Sequence, residues 1–383
     1  MSVTAAKGFR ASGVRAGLKD SGRPDLALVV NDGPLQAAAA VFTSNRVAAA
    51  PVLWTRAVVS DGRVSAVVLN SGGANACTGP AGFQDTHRTA EHLSAVLAVS
   101  ASDVAVCSTG LIGVRLPMDR LLAGVDDAAE RLTADGGPDA ADAICTTDTV
   151  RKESEYAGRG FTVGGMAKGA GMLAPALATM LVTITTDAVA DARILDEVLR
   201  AACRATFDRI DSDGCMSTND TVLLLASGAS DVRPEPSDLL DGVTAVCLDL
   251  AEQLVADAEG ASKEIRVEVV NAATEDDALE VARAVARSNL LKCALHGEDP
   301  NWGRVLAAVG TTSAAFDETE LDVAMNGVVV CRDSALGEER GLVDLSGRHV
   351  TIRVDLKAGD AQAWVLTNDL TAAYVHENSA YST

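Results

Sequence analysis

The segment of residues 168–187 carries the residue types best suited to covalent chemistry. It reads KGAGMLAPALATMLVTITTD, in which Lys168 and two glycines open a loop that Pro175 continues. The β-branched residues that follow predict a strand over residues 180–186. Thr179 therefore lies where a glycine-rich loop meets a buried strand. A threonine hydroxyl is a weak nucleophile and needs a neighbouring base.

Cleavage of the bond between Ala178 and Thr179 would supply that base. The new α-amino group would titrate near ~7.7–8.0, whereas a lysine titrates near ~10.4, so this amine would be partly neutral at working pH. By residue type alone, Thr179 is more simply interpreted as a packed strand residue. Other motifs have to decide between the two interpretations.

Two further loops could place hydrogen-bond donors near a reacting carbonyl. Ser108, Thr109 and Gly110 follow a predicted strand and could direct O–H and N–H groups at an oxyanion. The same three residue types are also common in ordinary turns. Residues 146–149 read TTDT, a cluster of hydroxyl groups that more often caps a helix.

Composition narrows the class of protein. A chain of 383 residues predicts two substructures, and 48% hydrophobic with 22% charged residues is typical of a globular fold. Aromatic residues are only 3%, so the cores must consist mainly of Ala, Val and Leu. The net charge of −21 argues against a nucleic-acid partner, which would need a basic surface.

No metal, disulfide, cofactor or membrane segment is indicated. The eight cysteines occur singly without a CxxC pair, and we expect most to be buried thiols of a reducing cytosol. In the acidic stretch at residues 211–220, the glycine and the terminal glutamate of a calcium loop are not at the required positions. The N-terminal residues lack the apolar region of a signal peptide, and proline interrupts the longest apolar run. We therefore expect a cytoplasmic protein.

Hydrophobic periodicity predicts alternating strands and helices. We expect the first two strands to pair through a turn at residues 31–34, Trp302 to lie in a shaped loop, and the tail after residue 373 to dock. This pattern indicates an α+β or layered α/β fold. The predicted strands are 26–30, 37–42, 64–69, 103–106, 161–163, 180–186, 221–226, 264–270, 321–331, 349–356 and 362–366; the predicted helices are 81–99, 118–132, 190–207, 237–256, 275–286 and 305–309.

Several blocks together resemble the ornithine acetyltransferase family, the glutamate N-acetyltransferases of arginine biosynthesis. They are long, ordered and spread over nearly the whole chain. The blocks are STG at 108–110, TTDT at 146–149, KGAGMLAPALATML from residue 168, DGCMSTNDTV at 213–222, AEGASK at 258–263, GEDPNWGR at 297–304 and YVHENSAYST at 374–383.

The resemblance implies self-cleavage at Ala178–Thr179. The products would be an α chain of residues 1–178 and a β chain of residues 179–383, assembled as two α and two β chains. It implies that Thr179 takes the acetyl group of N-acetylornithine and passes it to glutamate; acetyl-CoA as a second donor stays open. It also implies two sheets sandwiched between helix layers, as in the self-cleaving aminopeptidases.

The resemblance also implies roles for other residues. Thr109 and Gly110 match the family's oxyanion-hole pair. A threonine of the TTDT block matches a substrate-binding position, either Thr146 or Thr147. The remaining substrate-binding matches are Lys168, Glu259, Asn378 and Thr383. A cation suits a substrate carboxylate and an anion suits an ammonium, so Lys168 and Glu259 could divide those tasks.

The sequence departs from the family pattern at a few positions. Arg151 stands where proline is expected, residues 149–160 are shortened, and Asp208 replaces a frequent asparagine. These changes concern loop shape. Two rival functions stay open: an amidase or aminopeptidase of the same self-cleaving fold, with water as acceptor, and a non-catalytic protein that binds amino acids.

Overall fold

The computed structural model describes residues 2–174 and 180–380. These residues form two compact units, each with its own hydrophobic core. Unit 1 comprises residues 2–174, 180–208 and 215–257, and unit 2 comprises residues 209–214 and 258–380. Within the described ranges, no helix has the length and apolar character needed to cross a bilayer.

Unit 1 is built on two β-sheets. Its strands are β1 (Phe9–Val14), β2 (Leu26–Asn31), β3 (Ala37–Phe42), β4 (Ala66–Asn70), β5 (Val104–Ser108), β6 (Lys152–Ala157), β7 (Thr162–Lys168), β8 (Leu181–Thr186) and β9 (Thr221–Ala226). One sheet has the strand order β1-β2-β4-β5 and the other has β3-β9-β8-β7-β6. Every residue of β2, β4, β5, β8 and β9 is buried, as expected for strands covered on both faces.

In the described ranges, six helices pack on the two sheets of unit 1. They are α1 (Ala50–Val58), α2 (Gly79–Leu97), α3 (Met118–Glu130), α4 (Gly137–Ile144), α5 (Ala192–Ala205) and α6 (Pro236–Ala256). One core joins the facing sides of both sheets and includes α4, while α2 and α3 pack on the outer side of the first sheet. Helices α5 and α6 pack against the second sheet. This layering confirms the expected pair of sheets between helix layers.

Unit 2 has a single sheet. Its strands are β10 (Glu264–Ala272), β11 (Asp322–Met325), β12 (Val328–Arg332), β13 (Ala335–Leu336), β14 (His349–Asp355) and β15 (Ala361–Asn368), in the order β13-β12-β11-β14-β10-β15. Its helices are α7 (Glu275–Ala286), α8 (Asn289–His296), α9 (Trp302–Val309) and α10 (Ala372–Ala380). Helices α7 and α9 bury their apolar sides on the sheet.

Two expectations about strand pairing are wrong. Strand β3 pairs with β9, not with β2, because the turn at residues 31–34 carries the chain from one sheet to the other. The predicted strand at 321–331 is a hairpin of β11 and β12, which reverses at Asn326 and Gly327 with positive φ angles of 46° and 86°. Hydrophobic content alone could not reveal either feature, since the flanking residues are apolar in both arrangements.

Of two expectations about the second half of the chain, one changes and one holds. Trp302 is the first residue of α9 and packs on the unit 2 core, so the predicted shaped loop is shorter than expected. Helix α10 forms the described part of the tail. The amide of Tyr374 donates to the hydroxyl of Thr371, which itself donates to the carbonyl of Gly260, so the start of the tail is docked as expected.

The pairing of β7 with β8 is the feature that positions the candidate chemistry. The two strands are antiparallel, and Lys168 lies opposite Leu181. The segment between them contains Thr179, which lies outside the described residues together with the other residues from 175 to 179. The ends of that segment are therefore fixed by neighbouring strands of one sheet.

Candidate active site

Lys168 is the last residue of β7 and is almost completely buried, with 2% of its surface exposed. Its Nζ donates to the hydroxyl oxygen of Thr109 over 3.3 Å. The sequence-based assignments of Lys168 and Thr109 are thus brought together in unit 1, although the residues are far apart in the chain. A lysine ammonium beside a hydroxyl at the end of a strand is suited to binding or stabilising negative charge.

The loop after β5 places the Thr109 hydroxyl and the Gly110 amide. The Thr109 amide donates to the carbonyl of Asn70 over 2.9 Å, whereas no acceptor for the Gly110 amide lies among the described residues. Asn219 fixes this loop by donating to the carbonyls of Ser108 and Ala74 over 2.8 and 2.7 Å. The hydroxyl of Thr109 and the amide of Gly110 are therefore donor groups that this loop can offer to a ligand.

Gly110 is required by its surroundings. Its φ of +122° is unfavourable for residues with a side chain, and a Cβ at this position would lie 2.8 Å from the amide nitrogen of Gly73. Gly73 in turn donates to the carbonyl of Thr109 over 3.0 Å. The two backbone segments are in direct contact, so the loop keeps its shape only without a side chain at position 110.

Asp148 joins the TTDT loop to the residue after Lys168. Its Oδ1 accepts from the Gly169 amide and from Lys152 Nζ, both over 2.7 Å, and its Oδ2 accepts from the Thr146 amide over 2.9 Å. The Thr146 hydroxyl lies 3.5 Å from the same oxygen. This carboxylate therefore holds two of the family-matched loops together.

Lys152 extends the buried charges to the end of α6. Its Nζ contacts Asp148 at 2.7 Å and Asp257 at 2.6 Å, and the side chains of Lys152 and Asp148 are both 0% exposed. Asp257 also accepts from the Thr149 amide over 3.0 Å and from its hydroxyl. Sequence analysis missed Lys152 and Asp257. The signal that could have found Lys152 is its position four residues after Asp148, and nothing local marks Asp257.

Asp220 fixes the start of β8. Its two carboxylate oxygens accept from the amides of Met180 and Ser217 over 3.0 and 3.1 Å. Met180 is the residue directly after Thr179, so this buried carboxylate holds the first described amide beyond the proposed nucleophile. In the sequence, Asp220 belongs to the rejected calcium loop and to the DGCMSTNDTV block, and neither predicts this contact.

Burial and neighbouring charges act against each other at these groups. Burial lowers the pKa of Lys168 below its ordinary value, and Asp148 partly opposes that effect. Burial would raise the pKa of Asp148, but Lys168 and Lys152 hold it well below its usual range. Burial raises the pKa of Asp220 well above its ordinary value. Lys152 keeps a raised pKa despite its burial, because Asp148 and Asp257 contact it.

Most of the other candidate residues belong to unit 2 or lie outside the described residues. Glu259 lines a cavity of about 270 Å³ in unit 2 together with Asp213, Lys292, Asp369 and Tyr374. Asn378 is exposed on α10, where its amide group donates to the carbonyl of Tyr374 over 3.0 Å. Ala178, Thr179 and Thr383 lie outside the described residues. Thr147 follows Thr146 in the TTDT loop and is half-buried.

No set of three acidic, histidine or cysteine side chains in the described ranges could hold a metal ion. The polar groups of this candidate site are instead hydroxyls, amides, a buried ammonium and buried carboxylates. Such groups perform acyl transfer or amide hydrolysis through a nucleophile and an oxyanion site. The geometry alone does not distinguish a water acceptor from an amine acceptor.

The family model described as the ArgJ family matches residues 10–383. The chain belongs to the ArgJ family. It is 67% identical over 382 residues to the curated arginine biosynthesis bifunctional protein ArgJ of Streptomyces coelicolor, with 100% of both chains covered. The protein of the same name from Thermobifida fusca is 62% identical over 383 residues, again with 100% of both chains covered.

A solved relative is the ornithine acetyltransferase of Mycobacterium tuberculosis, whose structure was determined in complex with ornithine. It is 57% identical, with a TM-score of 0.44, and the match covers 47% of this chain and 96% of that chain. Family membership over the full length makes this protein an acyltransferase of the ArgJ family. The resemblance drawn from the sequence blocks is thereby confirmed.

We predict that Gly110→Ala disrupts the site more than Gly113→Ala does. Gly113 lies three residues further along the same loop with a φ of +86°, but a Cβ there would contact nothing within 4 Å. Both variants carry backbone strain of about 1–3 kcal/mol, whereas only Gly110→Ala also forces Gly73 away. Acetyl transfer should fall by about 100-fold or more in Gly110→Ala and by less than about 10-fold in Gly113→Ala. Equal losses in the two variants would contradict this interpretation of the loop.

Proposed function

We propose that this enzyme transfers an acetyl group from N2-acetyl-L-ornithine to L-glutamate through an acetyl-threonine intermediate at Thr179, and that acetyl-CoA is a second donor. The observation that carries the proposal is the buried contact between Lys168 and Thr109 at the end of the strand that leads into the Thr179 segment. Full-length relatives whose curated name is the arginine biosynthesis bifunctional protein support the pathway and the two activities.

The proposal includes self-cleavage between Ala178 and Thr179. Cleavage would leave residues 1–178 and 179–383 as separate chains, and the new amine of Thr179 would act as the base for its own hydroxyl. The two chains would stay together because β7 and β8, on either side of the cut, pair along their full lengths. We further propose an assembly of two α and two β chains, which acts in the cytoplasm without a cofactor.

The proposed reaction has two halves. In the first, Thr179 Oγ attacks the acetyl carbonyl of N-acetylornithine, the amide C–N bond breaks, and ornithine leaves with the proton that the Thr179 amine received from the hydroxyl. In the second, the amine of glutamate attacks the resulting ester, the C–O bond breaks, and Thr179 recovers its proton. Each half passes through a tetrahedral oxyanion, which the Thr109 hydroxyl and the Gly110 amide would stabilise.

Substrate binding is assigned by the family resemblance. We propose that Thr146, Thr147, Lys168, Glu259, Asn378 and Thr383 bind the amino-acid substrates. A buried ammonium such as Lys168 suits an anionic group, and the carboxylate of Glu259 suits a substrate ammonium. The acidic cavity around Glu259 in unit 2 supports the second of these assignments.

Thr179→Ala is predicted to abolish both self-cleavage and acetyl transfer, because it removes the only hydroxyl of the proposed nucleophile. Thr179→Ser keeps a hydroxyl and is predicted to retain both. Intact-mass spectrometry of the purified chains measures the cleavage, and formation of N-acetylglutamate measures the transfer. Transfer by pure, uncleaved Thr179→Ala protein would refute the mechanism.

The donor is tested by offering N-acetylornithine and acetyl-CoA separately, each with and without glutamate. We predict that N-acetylglutamate forms from both donors, and that ornithine appears in proportion to the product made from the first. Release of free acetate that does not depend on glutamate would indicate an amidase instead. If N-acetylglutamate forms with N-acetylornithine as donor but not with acetyl-CoA, acetyl-CoA is removed from the proposal and the transfer from N-acetylornithine stands.

Thr109→Ala is predicted to slow transfer by about 100-fold or more, since it removes one oxyanion donor. Thr109→Ser keeps the hydroxyl and should lose less than about 10-fold. Steady-state kcat is the measurement, because an oxyanion donor acts mainly in the transition state. An unchanged kcat in Thr109→Ala would exclude the hydroxyl from that role.

A further inference from the structure

The charge of Lys168 determines which way the hydrogen bond to Thr109 can run. An ammonium has three donors and no acceptor, so the Thr109 oxygen must accept from it. The hydroxyl hydrogen of Thr109 then stays available for another acceptor. A neutral amine has a lone pair and could accept that hydrogen instead. Protonation of Lys168 therefore ensures that the Thr109 hydrogen is available to the oxyanion, whereas the neutral amine can compete for that hydrogen.

Two buried groups of opposite sign neighbour the residues that follow and precede Lys168 in the chain. Asp148 accepts the amide of Gly169, the neighbour of Lys168, over 2.7 Å. Lys152 lies 2.7 Å from the same carboxylate and is opposite Ala167 in the β6–β7 pair. Asp148 favours the charged form of Lys168, and Lys152 disfavours it. Their effects on Lys168 thus have opposite signs.

Other titratable groups also face Lys168. Asp220 and Cys145 favour its charged form, with smaller effects than Asp148 and Lys152. Burial lowers the pKa of Lys19 to about 8, and the positive charge of Lys168 contributes to this lowering. Lys19 donates to the carbonyl of Cys145 over 2.5 Å. Asp148 and Lys152 remain the two largest charge effects on Lys168 after burial itself.

We infer that Asp148 and Lys152 are positioning residues that together set the charge of Lys168 and, through it, the direction in which the Thr109 hydroxyl donates its hydrogen. Neither needs to touch a substrate, because both act through Lys168. This inference rests on the proposed function, in which Thr109 is an oxyanion donor. The inference adds that Asp148 and Lys152 determine the charge of Lys168, on which the Thr109 donor depends.

The test is the pH dependence of kcat in two variants that change the charge near Lys168 in opposite directions. Activity that needs the Lys168 ammonium is lost as pH rises through the pKa of Lys168. Asp148→Asn removes a negative charge, so the alkaline limb should move to lower pH by about one unit or more. Lys152→Met removes a positive charge and keeps the bulk of the stem, so the limb should move to higher pH.

The controls separate this effect from a general loss of structure. Asp142→Asn removes the same type of charge from an exposed ion pair with Arg151 in the same region, and should leave the limb within about 0.2 units because solvent screens it. The rising acidic limb, which the proposed Thr179 amine sets, should stay in place in all variants. Rates are expressed per mature chain, and thermal denaturation checks that each variant is folded.

The outcomes are distinguishable. Opposite shifts in Asp148→Asn and Lys152→Met support the inference, whereas shifts in the same direction, or none, overturn it even if transfer is normal. Failure of wild-type transfer, or an unchanged kcat in Thr109→Ala, would instead count against the proposed function. If either variant fails to self-cleave, the pH dependence of kcat is measured in Asp257→Asn instead. This variant removes a negative charge beside Lys152, so the net positive charge near Lys168 increases and the alkaline limb should move slightly to lower pH. No shift in that variant would then overturn the inference.

Discussion

The buried ion pairs of Asp148, Lys152 and Asp257 are the constraint on which the candidate site depends. Moving a charged side chain out of water costs several kcal/mol, and the cost is offset only when partners of opposite charge are well placed. Here one ammonium lies between two carboxylates at 2.7 and 2.6 Å. The TTDT loop, the end of α6 and the residue after Lys168 must therefore lie together whenever unit 1 is folded.

The same charges explain why Lys168 can occupy a buried position. A lone buried lysine tends to lose its proton, as the lowered pKa of this residue reflects. The negative charge of Asp148, which the Gly169 amide holds in place, opposes that tendency. Asp220 holds the amide of Met180, the first described residue after the Thr179 segment. Structural stability and the proposed chemistry thus depend on the same small group of side chains.

Sequence patterns predicted the elements that are long or uniformly apolar. Strands β8 and β9 and helix α6 lie within one residue of their predicted bounds, because a β-branched run and a long apolar periodicity each have one clear interpretation. Strand β6 was missed. Its sequence, KESEYA, looks solvated, yet it forms an edge strand whose first residue is the buried Lys152. The charged pattern hid a residue whose partners come from distant parts of the chain.

The candidate site was predicted in part. The motif blocks identified Thr109, Gly110 and Lys168, and the structure brings the hydroxyl of Thr109 to Lys168. The blocks did not reveal Asp148, Lys152, Asp220 and Asp257 as partners, since a motif match identifies residue types without their contacts. Asp148 was visible only as one member of a hydroxyl cluster. Its role depends on a backbone amide 21 residues away, which no local pattern shows.

We propose that the acetyl group passes through Thr179. The most direct measurement is to mix the enzyme with N-acetylornithine carrying a labelled acetyl group, without glutamate, quench the reaction with acid and map the label by peptide mass spectrometry. The account predicts the label on the hydroxyl of Thr179, at the start of a peptide that begins with that residue. A label on another side chain, or on a peptide that runs unbroken from Ala178 into Thr179, would contradict it.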